Sequence, residues 1–150
     1  MAELNTTATD KAYLCGRLLA TLEKIHEAAI SGVGKLVMER FYTRASTAPA
    51  FAFGILMQRV VPHLAKLERD KPGLQVLLSK QLQEIVDLFE DPTFPQTFDI
   101  PQQALFAIGY WQQRSFDIRA AIARKAAREA KTDTLQIPLV ATEAEEETTL

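Results

Sequence analysis

The sequence has few of the residues that build disulfide frameworks, metal sites and catalytic loops. Its 150 residues include one cysteine, two histidines and six glycines. A single cysteine excludes an internal disulfide, and such scarcity is typical of a reducing compartment. No apolar run approaches the roughly 20 residues that a membrane-spanning helix needs, and the first ten residues lack a signal-peptide pattern. We therefore expect a cytoplasmic protein with no membrane partner.

The patterns that indicate β-strands are also missing. No segment alternates apolar and polar residues with a period of two, and no Asn-Gly or Asp-Gly pair marks a hairpin. Apolar residues recur instead at helical spacing, as in Leu14, Leu18, Leu22 and Ile25. The connections between helices are short, which favours antiparallel neighbours. The sequence predicts an all-α bundle of about five helices, mostly antiparallel.

Local signals mark the ends of the predicted helices. Capping residues precede three of them: Thr9 or Asp10, the run 46–49 that ends in a proline, and Asp99 with Gln102 three residues later. Ser31-Gly32 predicts the end of the first helix. Pro62 predicts a kink or a break in the third. The predicted helices cover approximately residues 10–30, 33–45, 49–69, 74–89 and 101–130.

The small net charge hides an uneven distribution. The chain carries 17 basic and 19 acidic side chains, for a net charge of −2. Residues 1–130 hold 16 basic and 14 acidic side chains, whereas residues 131–150 hold one lysine and five acids. We predict a helical bundle over 1–130 and an acidic, flexible tail over 131–150.

Motifs for catalysis and cofactor binding are absent. The sequence has no Gly-x-Ser-x-Gly and no P-loop, and it lacks a dinucleotide fingerprint. Glu23 and His26 have the spacing of one di-iron half-site, but the other histidine, His63, lacks the matching glutamate. We interpret Glu23 and His26 as a partly exposed pair and Cys15 as a small buried core residue. The sequence thus predicts a protein that is not an enzyme and binds no metal or cofactor.

Basic residues gather on the last predicted helix. On a helical wheel, five cations share an arc of about 120° that extends over roughly 25 Å of the axis. They are Arg114, Arg124, Lys125, Arg128 and Lys131. Such a stripe can follow a phosphate backbone by charge alone. An ordinary solvated face is the alternative, because the C-terminal part of a helix favours cations in any case.

Two shorter rows of cations lie on other helices. Arg59, His63 and Lys66 follow one another at i, i+4 and i+7 on the third helix. Arg17 and Lys24 lie away from the apolar stripe of the first helix. We interpret both rows as further candidate phosphate contacts.

The fourth helix has the opposite character, and one aromatic pair stands beside the basic stripe. Glu84, Asp87 and Glu90 form an acidic face that repels phosphate, so any nucleic-acid surface is one-sided.

Tyr110 and Trp111 could stack on unpaired bases. Packing in a core or an interface is the interpretation that we favour for this pair.

Three stretches resemble a known family. Residues 104–114, Ala-Leu-Phe-Ala-Ile-Gly-Tyr-Trp-Gln-Gln-Arg, resemble a Gly-Leu-Phe-Ala-Leu-Gly-Tyr-Tyr-His-Gln-Arg type of segment in the large subunit of type I-C CRISPR Cascade. Residues 12–25 are similar to that family's Ala-Tyr-Leu-x-Gly-Arg-Leu…Leu-Glu-Lys-Ile segment. Residues 40–49 and 63–67 are similar to its central section. The agreement in order and spacing spans residues 12–114.

The resemblance implies the small subunit of this RNA-guided complex, made from an internal start within the large-subunit message. Such a subunit is non-catalytic and lies along the belly of the complex in more than one copy. The implied partners are the Cascade backbone subunits, the large subunit, the crRNA–target DNA R-loop with its displaced strand, and other copies of the chain. Pairing with the guide, and not this subunit, would supply sequence specificity.

The candidate contacts combine the resemblance with the helical wheel. Arg17, Lys24, Arg40, Lys66 and Arg114 lie within the matched segments. The predicted nucleic-acid-binding residues are Arg17, Lys24, Arg59, Lys66, Arg114, Arg124, Lys125 and Arg128. The alternative is a helical module that docks on partner proteins and contacts no nucleic acid.

Overall fold

The computed structural model describes residues 3–30 and 34–148, and the side chains of residues 3–30 and 40–133. Every regular element within these ranges is an α-helix, which confirms the predicted fold class. The helices are α1 (Lys11–Ala29), α2 (Gly34–Thr47), α3 (Pro49–Asp70), α4 (Pro72–Asp87) and α5 (Ile100–Thr148). The chain divides into two compact units, Met1–Ser115 and Phe116–Leu150.

Two helix starts are capped by the residues that the sequence indicates. The Asp10 carboxylate accepts hydrogen bonds from the backbone N–H groups of Ala12 at 3.0 Å and Tyr13 at 3.3 Å. Asp99 and Gln102 form a reciprocal capping box, in which each side chain accepts from the other's backbone N–H at 2.9 Å. Such caps satisfy N–H groups that lack partners within the helix.

The start of α3 differs from the expectation. The Ser46 and Thr47 hydroxyls both donate to the carbonyl of Thr43 in the preceding turn, and no side chain caps α3. Pro49 nevertheless occupies the first turn as predicted. There its fixed φ suits the helix and its missing N–H costs nothing.

Pro62 does not break α3, which remains helical from Pro49 to Asp70. A proline within a helix removes one backbone hydrogen bond and crowds the preceding turn. Val60 and Leu67 are buried on either side of it, with 5% and 1% of their surface exposed. This burial holds both halves of α3 on the core, so a break at Pro62 is wrong, while a kink there stays a prediction.

The first helix lies at the centre of unit Met1–Ser115. Every residue from Ala12 to Glu23 is buried, and α1 packs against α2, α3 and α4. A helix buried on all sides has no solvated face, and its polar side chains must find partners inside the protein. Because α1 is central, residues that the sequence placed at the surface, such as Arg17 and Glu23, lie inside the protein.

Helices α1 and α5 cross with their backbones in contact. A Cβ added at Gly16 would collide with the Phe106 carbonyl oxygen and lie 2.7 Å from the Tyr110 backbone nitrogen. A Cβ added at Gly109 would collide with the Tyr13 carbonyl oxygen. Glycine is required at both positions because the facing atoms belong to the backbone and cannot rotate away.

Several boundaries differ from the sequence expectation or fall outside the described residues. Helix α5 continues to Thr148, although the sequence predicted its end near Ala130. The compact units divide after Ser115, and the predicted bundle over 1–130 with an acidic, flexible tail over 131–150 stays a prediction. The predicted end of α1 at 31–32 and the predicted start of α2 at Val33 lie outside the described residues. Among the described helices, none is long and apolar enough to cross a membrane.

We expect Gly16→Ala and Gly109→Ala each to lower the free energy of unfolding by about 1–3 kcal/mol, because the new methyl group forces the helices apart. Gly54→Ala is the matched control, since no atom lies within 4 Å of its added Cβ. This control should raise stability by about 0.5–1 kcal/mol, as alanine is the better helix former. Urea denaturation measures all three, and equal effects at Gly16 and Gly54 would contradict the crossing.

Candidate nucleic-acid interface

Arg17, predicted as a phosphate contact, lies inside the protein. Only 5% of its surface is exposed, and its Nε donates a hydrogen bond of 2.9 Å to the Gln113 side-chain oxygen on α5. Beside it, the Tyr13 hydroxyl donates to the Gln112 side-chain oxygen at 2.6 Å. The expected surface position is therefore wrong, because Arg17 packs between α1 and α5.

Arg114 is bound to a buried carboxylate. Its guanidinium donates from Nη1 to a Glu23 oxygen at 2.5 Å and to the Tyr110 hydroxyl at 3.1 Å. The Tyr110 hydroxyl donates to the other Glu23 oxygen. The Arg114 side chain is one-third exposed, whereas that of Glu23 is only 9% exposed. The charge of Arg114 therefore compensates Glu23, and little of it is available to a phosphate.

Glu23, Tyr110 and Arg114 form a hydrogen-bonded cluster. The pKa values of Tyr110 and Arg114 are shifted in the direction that keeps both side chains bound to Glu23 at neutral pH. Burial raises the pKa of Tyr110, and its hydrogen bond to Glu23 and the charge of that carboxylate raise it further. Burial opposes the positive charge of Arg114, but the hydrogen bond and charge of Glu23 outweigh this and raise its pKa. Tyr110 therefore remains a neutral donor and Arg114 a cation.

The burial of Glu23 corrects the interpretation of Glu23 and His26 as a partly exposed pair. Its contacts also show whether its carboxylate is available to a metal ion. Glu23 is a core residue, so its description as part of a partly exposed pair with His26 is wrong. Both of its oxygens are engaged by Tyr110 and Arg114. Among the described residues, no group of three or more histidine, cysteine, aspartate or glutamate side chains could hold a metal ion.

Cys15 is buried on α1, as predicted. Burial raises the pKa of its thiol to about 12. The nearby charge of Lys11 lowers this pKa and that of Asp10 raises it, both by less than burial does. A thiol with this pKa is protonated at neutral pH and is a poor nucleophile. Its place in the core agrees with the role of a small apolar residue.

The aromatic pair next to Arg114 is split between core and surface. Tyr110 is buried, and 49% of Trp111 is exposed. Their rings meet edge to face with centroids 5.1 Å apart. Tyr110 therefore belongs to the core, as we favoured, while Trp111 offers an exposed aromatic face.

The row on α3 does lie at the surface. Arg59 and Lys66 are exposed, and the Arg59 guanidinium lies 5.4 Å from the centre of the Phe41 ring. A cation over an aromatic ring is held in place without losing its charge. Lys24, on α1, is half-buried. Within unit Met1–Ser115, Arg59 and Lys66 are the predicted contacts best placed to meet a phosphate.

The sequence analysis did not identify that His63, the middle residue of this row, pairs with His26. The rings of His26 and His63 meet edge to face, with centroids 4.8 Å apart. Burial lowers the pKa of His63, and His26, Arg59 and Lys66 lower it further by repulsion. The two histidines are distant in sequence and belong to different helices, so no local pattern could have paired them.

The cations of unit Phe116–Leu150 are exposed. Arg124, Lys125, Arg128 and Lys131 all present their side chains to solvent on helix α5. At 100° and 1.5 Å per residue, these four share an arc of about 120° over about 10 Å of axis. Exposed cations at this density can contact successive phosphates of one strand.

The expected acidic face is present on and just after α4. Glu84, Asp87 and Glu90 are exposed. Lys80 approaches Glu84 at 4.0 Å, but both side chains are largely solvated. Exposed pairs of this kind contribute little to stability.

We expect Glu23→Ala to lower the free energy of unfolding by about 2–3 kcal/mol, because Tyr110 and Arg114 lose a shared charged acceptor. Glu23→Gln should cost less, since an amide oxygen still accepts one hydrogen bond. Glu27→Ala on the same helix is the control, because Glu27 is exposed and should tolerate the change. Thermal or urea unfolding measures the three variants, and a loss at Glu27 equal to that at Glu23 would contradict the cluster's role.

The lowered pKa of His63 predicts how stability depends on pH. Because the unfolded chain binds this proton more readily, stability is fully present above the unfolded pKa near 6.5 and is lost as pH falls below it. The variant His63→Gln should lose less stability between neutral and mildly acidic pH than the natural protein. Lys66→Gln should show an intermediate loss, because it removes one repelling charge. Urea unfolding at several pH values measures this loss in the natural protein and in both variants. An equal loss of stability in all three would contradict the lowered pKa of His63.

Comparison with known proteins agrees with the motif resemblance. A family model described as CRISPR-associated protein (Cas_Csd1) matches residues 1–116, which is more than half of the chain. No curated protein matches the chain. The matched range includes both segments that meet where α1 and α5 cross, residues 12–25 and 104–114. The chain therefore belongs to the family of CRISPR-associated proteins (Cas_Csd1).

Proposed function

We propose that this protein is the non-catalytic small subunit of a type I-C Cascade, a prokaryotic and cytoplasmic RNA-guided complex. In this role it stabilises the assembly and supports the R-loop by contacting nucleic-acid backbone. Its partners are the backbone subunits, the large subunit, the crRNA–target DNA R-loop with its displaced strand, and other copies of itself. Membership of the CRISPR-associated family supports the general setting.

One observation carries the nucleic-acid part of the proposal: the exposure of Arg124, Lys125 and Arg128 on one side of helix α5. Backbone contacts from lysine and arginine supply affinity without reading sequence. That suits a subunit of a complex in which the guide RNA recognises the target. In unit Met1–Ser115, Arg59 and Lys66 supply a second exposed pair of cations.

The small net charge of the chain limits how tightly it binds DNA alone. With 17 basic against 19 acidic side chains, the protein has no large positive field to attract DNA from a distance. We therefore place the contacts within the assembled complex, where neighbouring subunits hold the strand close to the cations.

The triple variant Arg124→Ala, Lys125→Ala, Arg128→Ala tests this proposal in the assembled complex. We expect weaker binding to target DNA and a plot of log affinity against log salt that is shallower by about 2 to 3, because fewer counterions are released. Filter binding or anisotropy at several salt concentrations provides both values.

Arg119 offers a matched control on the same helix. It is exposed like Arg128 but lies off the arc, near 140° when Arg114 is set at zero. Arg119→Ala should therefore change affinity and salt slope less than Arg128→Ala. The nucleic-acid proposal fails if the triple variant leaves both quantities unchanged while the complex still assembles.

A second candidate function is a protein-interaction module without nucleic-acid contact. It is favoured by the apolar surface on α5 in unit Met1–Ser115, where Ile100, Ile108 and Trp111 are 81%, 44% and 49% exposed. Residues of this kind are enriched in interface cores. Loss of co-purification with the backbone subunits in Ile108→Ser and Trp111→Ser, together with an inert triple variant, would favour this module.

A further inference from the structure

The unit Met1–Ser115 contains a cleft that has no part in the proposed nucleic-acid contacts. It encloses about 320 Å³ and is open to solvent. Its lining is mainly apolar and comes from three helices and the loop after α4: Leu18, Met57, Val86, Phe89, Pro92 and Phe94. The volume lies near the lower end of the range for ligand sites, about 300–1,000 Å³, which suits one or two side chains.

The loop that forms one wall is fixed to the body of the unit. The Phe94 ring stacks on Phe53 with centroids 4.9 Å apart, and it meets the edge of Phe89 at 5.7 Å. The Pro95 carbonyl accepts a hydrogen bond of 3.0 Å from the Ala50 backbone N–H. The cleft is therefore formed before anything binds, and an occupant avoids the cost of ordering the loop.

The rim of the cleft is acidic. Glu90 and Asp91 both line it, and Asp87 is exposed in the adjacent turn of α4. Asp91 already accepts hydrogen bonds from Thr93 and from Lys11, the latter at 2.9 Å, and these bonds hold the pKa of its carboxyl well below the usual range. Within the part of the chain that the structure describes, Glu90 forms no ion pair. Its charge is thus available to a partner at the edge of an apolar cavity.

We propose that this cleft binds a segment of a partner protein that presents a large apolar side chain next to a lysine or arginine. The apolar side chain fills the space above Leu18 and Met57, and the cation meets Glu90 at the rim. Nucleic acid does not fit this site, because its phosphates would face Glu90 and Asp87. None of the cations proposed to contact phosphate lines the cleft, so the two sites are independent.

Two fluorescent peptides test the proposal with the full-length protein. Both carry the same leucine and phenylalanine, and they differ only in having flanking lysines or flanking glutamates. Anisotropy should show binding of the lysine peptide and about tenfold weaker binding of the glutamate peptide. A third peptide, with serine at both apolar positions, should also bind about tenfold more weakly. Equal binding of either control peptide overturns the proposal.

Two substitutions locate the binding at the cleft. Val86 is 37% exposed at the mouth, so Val86→Trp fills the cavity from outside, and Glu90→Lys reverses the rim charge. Each substitution should weaken binding of the lysine peptide about fivefold or more. Val76→Trp on the same helix, with Val76 64% exposed, and Glu68→Lys on α3 are the matched controls. Equal effects of a variant and its control overturn the proposal, and Glu90→Lys carries the test if Val86→Trp does not fold.

Two further measurements distinguish a partner protein from a second copy of this chain and from DNA. Sedimentation of the protein alone measures whether it self-associates. If it does and Val86→Trp no longer does, the cleft binds a second copy of this chain, and the proposal of a different partner protein is overturned. DNA binding by the complex should be unchanged in Glu90→Gln, because Arg124, Lys125 and Arg128 are not among the residues that line the cleft. A change in DNA affinity in that variant would overturn this separation.

Discussion

Gly16 and Gly109 let the backbones of α1 and α5 touch, and the polar contacts between these two helices follow from that approach. At this separation, Arg17 reaches Gln113 across the interface. Glu23 likewise reaches Arg114 and the Tyr110 hydroxyl. A wider spacing would leave these buried groups without partners, at a cost of about 1–3 kcal/mol for each. The glycine crossing is therefore the constraint that makes a charged, hydrogen-bonded seam possible inside the bundle.

The same crossing explains why two distant segments carry the family resemblance. Residues 12–25 and 104–114 are the two sides of one helix interface, so their glycines and polar residues fit each other. Motif residues of this kind maintain the fold, and a positive charge among them need not meet a ligand. Arg17 and Arg114 are examples, because both are held by side chains of this protein. The proposed nucleic-acid contacts consequently depend on cations whose side chains are free to reach a phosphate.

Charge is distributed by region in the described part of unit Met1–Ser115. Arg59 and Lys66 present positive charge on α3, whereas Glu84, Asp87 and Glu90 present negative charge on and after α4. In the proposed function, opposite charges on α3 and α4 would favour a phosphate-bearing partner at α3 and disfavour it at α4. Glu90 of this acidic region also lines the apolar cleft, which makes that side better suited to a protein than to nucleic acid. In the proposed function, these two surfaces would provide separate contacts, one for nucleic acid and one for a partner protein.

The sequence by itself determined the helical class, the caps at Asp10 and Asp99 and the proline in the first turn of α3, because each depends on residues within one turn of the chain. Only the tertiary structure decided which faces are buried. The sequence showed an apolar stripe on α1 and left the opposite side for solvent, but the other helices pack around it and bury Arg17 and Glu23. The contact between His26 and His63 and the cleft beneath Val86 likewise join residues from different helices. Helical periodicity fixes the angle of a side chain about its own axis, and packing alone fixes what that side chain meets.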